Sequence, residues 1–496
     1  MSYKPNKPLP LSPRELIVIA RPEAQLRVTD TGVVSLTNYD VRFLNELLRK
    51  PNRSMHPLFR PSKKTTERSD DYRRTKDNVA PRDLSVYFRF SAPDRELQSL
   101  ARQLYGQPAI DTAYVKPGAV PPAWHTNIIE EDGSPKLFSS ARAASTASDL
   151  TQRYLGDPLG GIGARCVWES YPGADGTGVK IIDVEGGGRF SHADLQVNQG
   201  GLVGGTQNPD WTNHGTAVLG ILGGDINDFG ITGICPGAVV QAISNIDERD
   251  DGWGEATAIK FAADQLDPGD IILIEIHHPG PTVNFEYNDK QIGYIPVEWW
   301  EESLAAIQYA TDQGVIVVEA GGNGQKNLDD APYDVGPFTS LWHNPFKRDP
   351  IDSGAIIVGA GAPPVGTHGI TTQRDRSRLL LSNYGSMFDA QGWGEHVETC
   401  GGEGEILLGA VDNEDFRYTN LFNGTSSAAA MVAGALGCIQ GARKGAGLLP
   451  LTPSEARELL RREGLGSPQE RDVGSPVRKR IGNRPNLIKM IPAVVA

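Results

Sequence analysis

From about residue 160 to the end of the chain, short apolar runs alternate with segments of helical periodicity. The runs are VKIIDV (179–184), VVQAIS (239–244), DIILIEI (270–276), GVIVVEA (314–320) and GAIIVGA (354–360). Strands that are apolar at nearly every position are buried on both faces, as in parallel sheets covered by helices. Segments of helical pattern at 255–265 and 301–312 supply crossovers. The pattern predicts a three-layer α/β fold with a mostly parallel sheet, whose functional residues lie at the strands' carboxyl ends.

The first 120 residues follow a different pattern, in which strand-like and helical segments are mixed. Strand-like segments cover 14–20, 84–90 and 109–115, and helical ones cover 39–49 and the stretch after Pro93-Asp94. This predicts a small α+β domain.

Domain boundaries follow from composition. Residues 51–82 are rich in Pro, Arg, Lys, Ser and Asp with few aliphatic side chains, so we expect a flexible insertion there. We place the N-terminal domain at 1–120, a linker at 121–159 and the main domain at 160–496.

Charge is divided unevenly between these parts. The chain carries a formal charge of −13, but residues 1–120 contain 21 basic and 13 acidic side chains, which leaves +8 there and −21 in the rest. We expect the opposite charges to favour docking of the two parts. A nucleic-acid partner is not expected, because acids are interleaved with the basic side chains of Lys63, Lys64, Arg73 and Arg74.

Four polar residues stand at positions suited to chemistry. Asp183 ends an apolar run before a glycine cluster, His214 lies in N-H-G-T-A, Asn323 follows a strand in A-G-G-N-G, and Ser426 begins a long run of small residues. Each alone has an ordinary structural explanation, such as a turn, a helix cap or a core histidine. Together, the order Asp–His–Ser is one of the three known chain orders of a catalytic triad.

With these motifs, residues from about 160 to the C-terminus resemble the subtilisin-like serine proteases, the subtilase family. Further segments at similar places are G-I-T-G-I-C-P-G-A (230–238), L-S-N-Y-G (381–385) and I-G-N-R-P-N-L (481–487). The resemblance implies that Ser426 is the nucleophile, His214 the general base and Asp183 the residue that orients His214. It also implies an oxyanion hole formed by the Asn323 side chain and the Ser426 backbone N–H.

Two departures from the family pattern leave these groups in place. The family usually has D-[ST]-G where this chain has Asp183-Val184-Glu185, and a proline where this chain has Ala430. The function we expect is therefore a serine endopeptidase that hydrolyses proteins or peptides. A catalytically silent subtilase-like module that binds a protein is the alternative.

The N-terminal domain is similar in size and pattern to the family's propeptide, a ferredoxin-like intramolecular chaperone and inhibitor. The resemblance implies a zymogen in which this domain docks on the enzyme and its end enters the active-site cleft.

Substrate-binding residues are also implied by the resemblance. Gly252, Trp253 and Gly254 fall where the family has an edge strand that pairs with substrate, and Glu275, Ile276, His277 and His278 line the specificity pocket. Glu319 lies on the neighbouring segment, so two carboxyl groups are expected to face one another near the pocket. A basic substrate side chain, a shared proton or a structural arginine would each reconcile them.

No cofactor is expected. The four cysteines are scattered without a C-x-x-C pair, and G-x-G-x-x-G is absent around Gly186–Gly188, which argues against a zinc ribbon and a nucleotide site. No metal site is assigned, although structural calcium is common in the family and remains open. The short apolar run at 16–20 is no secretory signal and no transmembrane segment is readable, so we expect a cytoplasmic protein without a membrane partner, with non-standard export left open.

Overall fold

A four-stranded antiparallel sheet with two helices on one face forms the N-terminal domain in the described part of the chain. The computed structural model describes residues 10–60, 83–122, 128–129, 135–136, 151–369, 371, 373–401, 413–471 and 479–495. The elements are β1 (Glu15–Ala20), β2 (Leu26–Thr29), β3 (Gly32–Ser35), α1 (Arg42–Leu48), β4 (Ser54–Pro57), β5 (Tyr87–Ser91), α2 (Leu97–Leu104) and β6 (Ile110–Lys116). The strand order β4-β5-β1-β6 is the ferredoxin-like βαββαβ arrangement, with β2 and β3 as an added hairpin. The predicted small α+β domain is confirmed.

The main domain is built on a parallel sheet, which has seven strands among the described residues. After two short strands, β7 (Ile128–Ile129) and β8 (Pro135–Lys136), the chain forms β9 (Lys180–Glu185), β10 (Gln199–Gly204), β11 (Val239–Ser244), β12 (Ile271–Ile274), β13 (His277–Pro279), β14 (Tyr294–Pro296), β15 (Ile316–Ala320), β16 (Ile356–Gly361), β17 (Phe388–Trp393), β18 (Val397–Cys400) and β19 (Tyr418–Phe422). The sheet order is β10-β11-β9-β12-β15-β16-β17, and every neighbouring pair is parallel. The sequence pattern missed β10 and β17 because these edge strands contain glycines and polar residues.

Helices cover both faces of this sheet. They are α3 (Ala164–Trp168), α4 (Thr212–Gly223), α5 (Glu255–Gln265), α6 (Glu301–Asp312), α7 (Gly424–Gly445), α8 (Pro453–Arg461), α9 (Leu487–Met490) and α10 (Pro492–Val495). Alternate strand residues point to opposite faces. Ile181 and Leu273 accordingly pack with α4 and α7, whereas Ile182 and Ile272 pack with α5 and α6.

The central helix α7 consists mostly of small residues because other backbone segments approach it closely. A Cβ on Gly441 would lie 2.1 Å from the Gly173 carbonyl oxygen, and one on Gly437 would lie 2.9 Å from the Cys235 sulfur. Larger side chains would push α7 away from these neighbours, and with it the site at its N-terminus.

The N-terminal domain packs its open sheet face on the α5–α6 side of the main domain. Ile17, Tyr87 and Tyr114 from that face share an apolar core with residues of α5 and α6. The opposite face forms a separate core with α1 and α2. The N-terminal sheet is thus covered on both faces, once by its own helices and once by the main domain.

Two predicted boundaries need correction. The proposed insertion 51–82 begins inside the folded domain, because Ser54–Pro57 pair with β5, while residues 61–82 lie outside the described residues. The proposed linker 121–159 ends earlier than expected, because Tyr154 and Leu155 are already buried in the core of the main domain. Residues 123–127 and 137–150 lie outside the described residues.

Cys235, Cys400 and Cys438 are buried free thiols, and Cys166 is an exposed one. Among the described residues, no helix has both the length and the apolar character needed to cross a bilayer.

The start of α8 provides a test of the fold. Thr452 and Glu455 form a reciprocal capping box, in which each side chain accepts a hydrogen bond from the other residue's backbone N–H. Thr452→Ala should lower the free energy of unfolding by about 1 kcal/mol. Denaturant titration of the full chain would measure it. Thr452→Ser keeps the hydroxyl and should lose much less; equal losses in both variants would contradict this account.

Candidate active site

The site lies where the end of β9 meets the first turns of α4 and α7. His214 is the third residue of α4, Ser426 the third of α7, and both are almost completely buried. Parallel strands bring their carboxyl ends to one edge of the sheet, and a helix N-terminus adds free backbone N–H groups there. The two predicted residues, 212 positions apart, are therefore neighbours.

A chain of two hydrogen bonds runs through His214. Its Nε2 lies 3.0 Å from Ser426 Oγ, and its Nδ1 lies 2.9 Å from Glu185 Oε2. The ring of Phe422 packs edge-on against the imidazole. A buried serine, imidazole and carboxylate are thus connected in the order that nucleophilic catalysis requires.

The predicted pairing of Asp183 with His214 is wrong, because Glu185 takes that place. Asp183 lies two residues earlier on the same face of β9, about 7 Å further from the strand end. Its carboxyl group faces Glu185, and burial together with the Glu185 charge raises its pKa well above the ordinary value. A signal for Glu185 was present in the sequence: it directly precedes Gly186-Gly187, so E-G-G fits the family's D-[ST]-G better than Asp183 does.

Asn323 lies beside the start of α7, as expected. Its Oδ1 accepts hydrogen bonds from the backbone N–H (3.0 Å) and the hydroxyl (3.1 Å) of Thr425. These two bonds orient the Asn323 amide so that Nδ2 points away from Thr425. Nδ2 donates a hydrogen bond to Gln291 Oε1 at 3.1 Å. Gln291 was not predicted, and no motif marks it; it belongs to the loop between β13 and β14.

The end of the N-terminal domain lies in this site. Val120 pairs antiparallel with His277 through two backbone hydrogen bonds of 3.1 and 3.0 Å. Gln291 Nε2 then donates to the Pro121 carbonyl (3.0 Å), and the Pro122 carbonyl oxygen lies 3.5 Å from Ser426 Oγ. Residues 120–122 form an extended segment that ends at the serine.

His278 and Ile276, also predicted to bind substrate, face other groups. The two ring nitrogens of His278 lie 3.0 Å from the Pro117 carbonyl and 2.6 Å from Glu255 Oε2. Ile276 is buried in the apolar core between the sheet and α5–α6.

The expected edge strand at Gly252–Gly254 is a turn that leads into α5. The carbonyl of Trp253 in this turn accepts a hydrogen bond from the side chain of Arg89, which belongs to the N-terminal domain. A Cβ on Gly254 would lie 2.0 Å from Glu15 Oε1. Docking of the N-terminal domain thus covers the segment that was predicted to pair with substrate.

Glu275 and Glu319 do not face one another, which corrects the expected acid pair. Glu319 is in register with Ile274, so it lies on the α5–α6 face, and Glu275, the next residue, lies on the opposite face. Glu319 instead accepts a hydrogen bond from the Glu298 backbone N–H, and burial and the Glu298 charge raise its pKa. A basic substrate side chain held between the two acids is therefore ruled out by the register.

A family model described as the subtilase family matches residues 190–475, more than half of the chain. The chain belongs to the subtilase family. The matched range of this subtilase includes His214, Asn323 and Ser426, while Asp183 and Glu185 precede it. The expected subtilisin-like fold, with a small α+β domain before it, is confirmed.

Named relatives are distant. The chain is 24% identical to subtilisin BL of Lederbergia lenta over 273 residues, 54% of this chain and 78% of that protein. It is 26% identical to subtilisin E of Bacillus subtilis (strain 168) over 154 residues, 30% of this chain and 36% of that protein. Fervidolysin from Fervidobacterium pennivorans, described as a keratinolytic enzyme related to subtilisin, has a similar structure with a TM-score of 0.48 and 17% identity, covering 90% of this chain and 61% of that one.

The choice between the two acids can be tested by nuclear magnetic resonance. In the full chain with Ser426→Ala, ¹⁵N-labelled histidine should show a strongly deshielded Nδ1 proton for His214, because it is bonded to a carboxylate. Glu185→Gln should move this resonance upfield, whereas Asp183→Asn, its matched control, should leave it in place. The opposite result would restore Asp183 as the partner.

Proposed function

We propose that this subtilase is a serine endopeptidase whose triad is Glu185, His214 and Ser426. The observation that supports it is the position of His214, with one ring nitrogen on the serine hydroxyl and the other on a buried carboxylate. Ser426 Oγ attacks the scissile carbonyl while His214 Nε2 takes its proton, and the protonated imidazole then gives that proton to the leaving amine. Glu185 holds the imidazole in the required tautomer and stabilises its positive charge.

The oxyanion hole consists, in this proposal, of Asn323 Nδ2 and the Ser426 backbone N–H. Ser426 lies in the first turn of α7, where backbone N–H groups have no partner within the helix. Asn323 is held by Thr425, so its amide is already oriented before substrate binds. Its Nδ2 would exchange the Gln291 oxygen for the developing oxyanion.

The N-terminal domain acts as an intramolecular inhibitor in this proposal. Its last described residues occupy the place that an extended substrate needs, with Val120 on the backbone of His277 and the Pro122 carbonyl at Ser426. Backbone pairing of this kind is the usual mode in which an extended peptide is recognised. The domain would therefore exclude other substrates until it leaves.

Buried charges at the interface support tight docking of that domain. Lys116, at the end of β6, lies 2.8 Å from Glu15 and 2.9 Å from Glu302, with Glu255 at 3.6 Å. Burial opposes the charge on Lys116, but the three carboxylates raise its pKa above the ordinary value. Removing one member would leave an unbalanced buried charge, which is costly.

The first test is self-processing. Because the Pro122 carbonyl lies at the nucleophile, the wild-type chain should cut itself between Pro122 and Ala123. N-terminal sequencing after incubation should find a new end at Ala123, absent in Ser426→Ala. Labelling of Ser426 with a fluorophosphonate should follow processing. Failure of both in the wild type would contradict the proposal and favour a silent binding module.

A second test concerns the oxyanion hole. Asn323→Ala should lower turnover at least about a hundredfold, since losing one such donor costs roughly 2.7–4 kcal/mol in the transition state. Steady-state kinetics of the processed enzyme would show the loss in kcat with little change in KM. A change in KM alone would contradict the assigned role of Asn323.

A further inference from the structure

Three carboxyl groups lie on one buried face of the main sheet at the candidate active site. Asp183 and Glu185 lie on one face of β9, and the register of β9 with β12 places Glu275 beside Glu185 on that same face. All three side chains are completely buried. Among the described residues, no lysine or arginine forms an ion pair with Asp183 or Glu275, and no group of side chains is arranged to hold a metal ion.

Such a cluster does not carry three negative charges without water or cations. Glu185 is the member bonded to His214, a partner that can stabilise a negative charge on it. Burial and the neighbouring Asp183 raise the pKa of Glu275 well above its ordinary value, although contact with the Ser426 hydroxyl acts in the other direction. The surroundings of Glu275 therefore favour its neutral form.

We propose that Glu275 is a positioning residue that carries a proton next to Ser426, and that its ionisation switches the enzyme off as pH rises. This rests on the proposed function. Both Glu275 oxygens are buried, and neither forms a hydrogen bond of good geometry.

Ionisation of Glu275 would act on the serine in two ways. The carboxylate would compete with His214 Nε2 for the Ser426 hydroxyl proton, which turns the nucleophile away from its base. It would also place a negative charge near the oxyanion that forms in the transition state, which opposes catalysis. Since the neutral form dominates below the pKa of Glu275, activity is retained at lower pH and lost as pH rises through that pKa.

The groups around Glu275 do not cancel this effect. β9 contributes Asp183 and Glu185, and α4 contributes His214, whose two ring nitrogens contact Ser426 and Glu185. Beyond Glu275 the chain continues into β13, where burial lowers the pKa of His277 well below its ordinary value, so this ring is neutral. Among the described residues, none of these groups is a lysine or arginine that would neutralise an ionised Glu275.

The pH profile of kcat/KM tests the proposal, measured on self-processed protein with a substrate that has no titrating group. The wild type should lose activity about tenfold per pH unit on the alkaline side. Glu275→Gln should abolish that alkaline loss, because the amide keeps the shape but has no proton to lose. Glu319→Gln, equally buried on the other face of the sheet, is the matched control and should keep the wild-type profile. A flat wild-type profile, or the same alkaline loss in Glu275→Gln, would overturn the proposal.

Infrared spectroscopy provides a readout that needs no activity. In the full chain with Ser426→Ala, a protonated-carboxyl band should be present at neutral pH and decrease when Glu275→Gln is added. An unchanged band would overturn the inference even if the enzyme proves active. Absence of both processing and labelling in the wild type would instead overturn the proposed function and leave the infrared result to decide the state of Glu275.

Discussion

The parallel pairing of β9 with β12 determines which polar groups lie together at the candidate active site. With Asp183 opposite Leu273, the alternation of side chains places Asp183, Glu185 and Glu275 on the α4–α7 face. The same alternation sends Glu319 to the other face, where it meets Glu298. A one-residue shift of β9 would turn Asp183 and Glu185 to the other face and leave His214 without a carboxylate partner. The chemistry of the site therefore depends on register.

The helices that carry His214 and Ser426 depend on close packing against that sheet. Because α7 is made of small residues, neighbouring backbone comes close enough to touch it at Gly441, and this packing sets the position of its N-terminus, where Ser426 lies. Asn323 is bonded to the same turn through Thr425. The positions of Ser426 and the Asn323 amide therefore both depend on how the first turn of α7 is packed.

The N-terminal domain packs on the opposite side of the main sheet, against α5 and α6, and its contacts there also position its last residues. Lys116 brings together glutamates from both domains, and His278 links Pro117 to Glu255. These contacts lie immediately before residues 120–122. Docking of the N-terminal domain therefore also sets the position of residues 120–122 at the candidate site. Water is excluded from this charge network, so salt screens it less than it would a surface pair.

Local signals in the sequence predict the α/β class, the main parallel strands and the small N-terminal domain, and they mark His214, Asn323 and Ser426 as candidates. Apolar runs, helical spacing and glycine-bounded motifs are properties of neighbouring residues, so they can be recognised without knowledge of the fold. The contacts that bring Glu185 rather than Asp183 to His214, place Glu275 beside these acids, and carry Gln291 and Pro122 to the site arise between residues distant in the chain. Periodicity could not predict them, because the two candidate acids lie on the same face of one strand and differ only in distance along it, and Gln291 is placed by a loop that no periodicity describes.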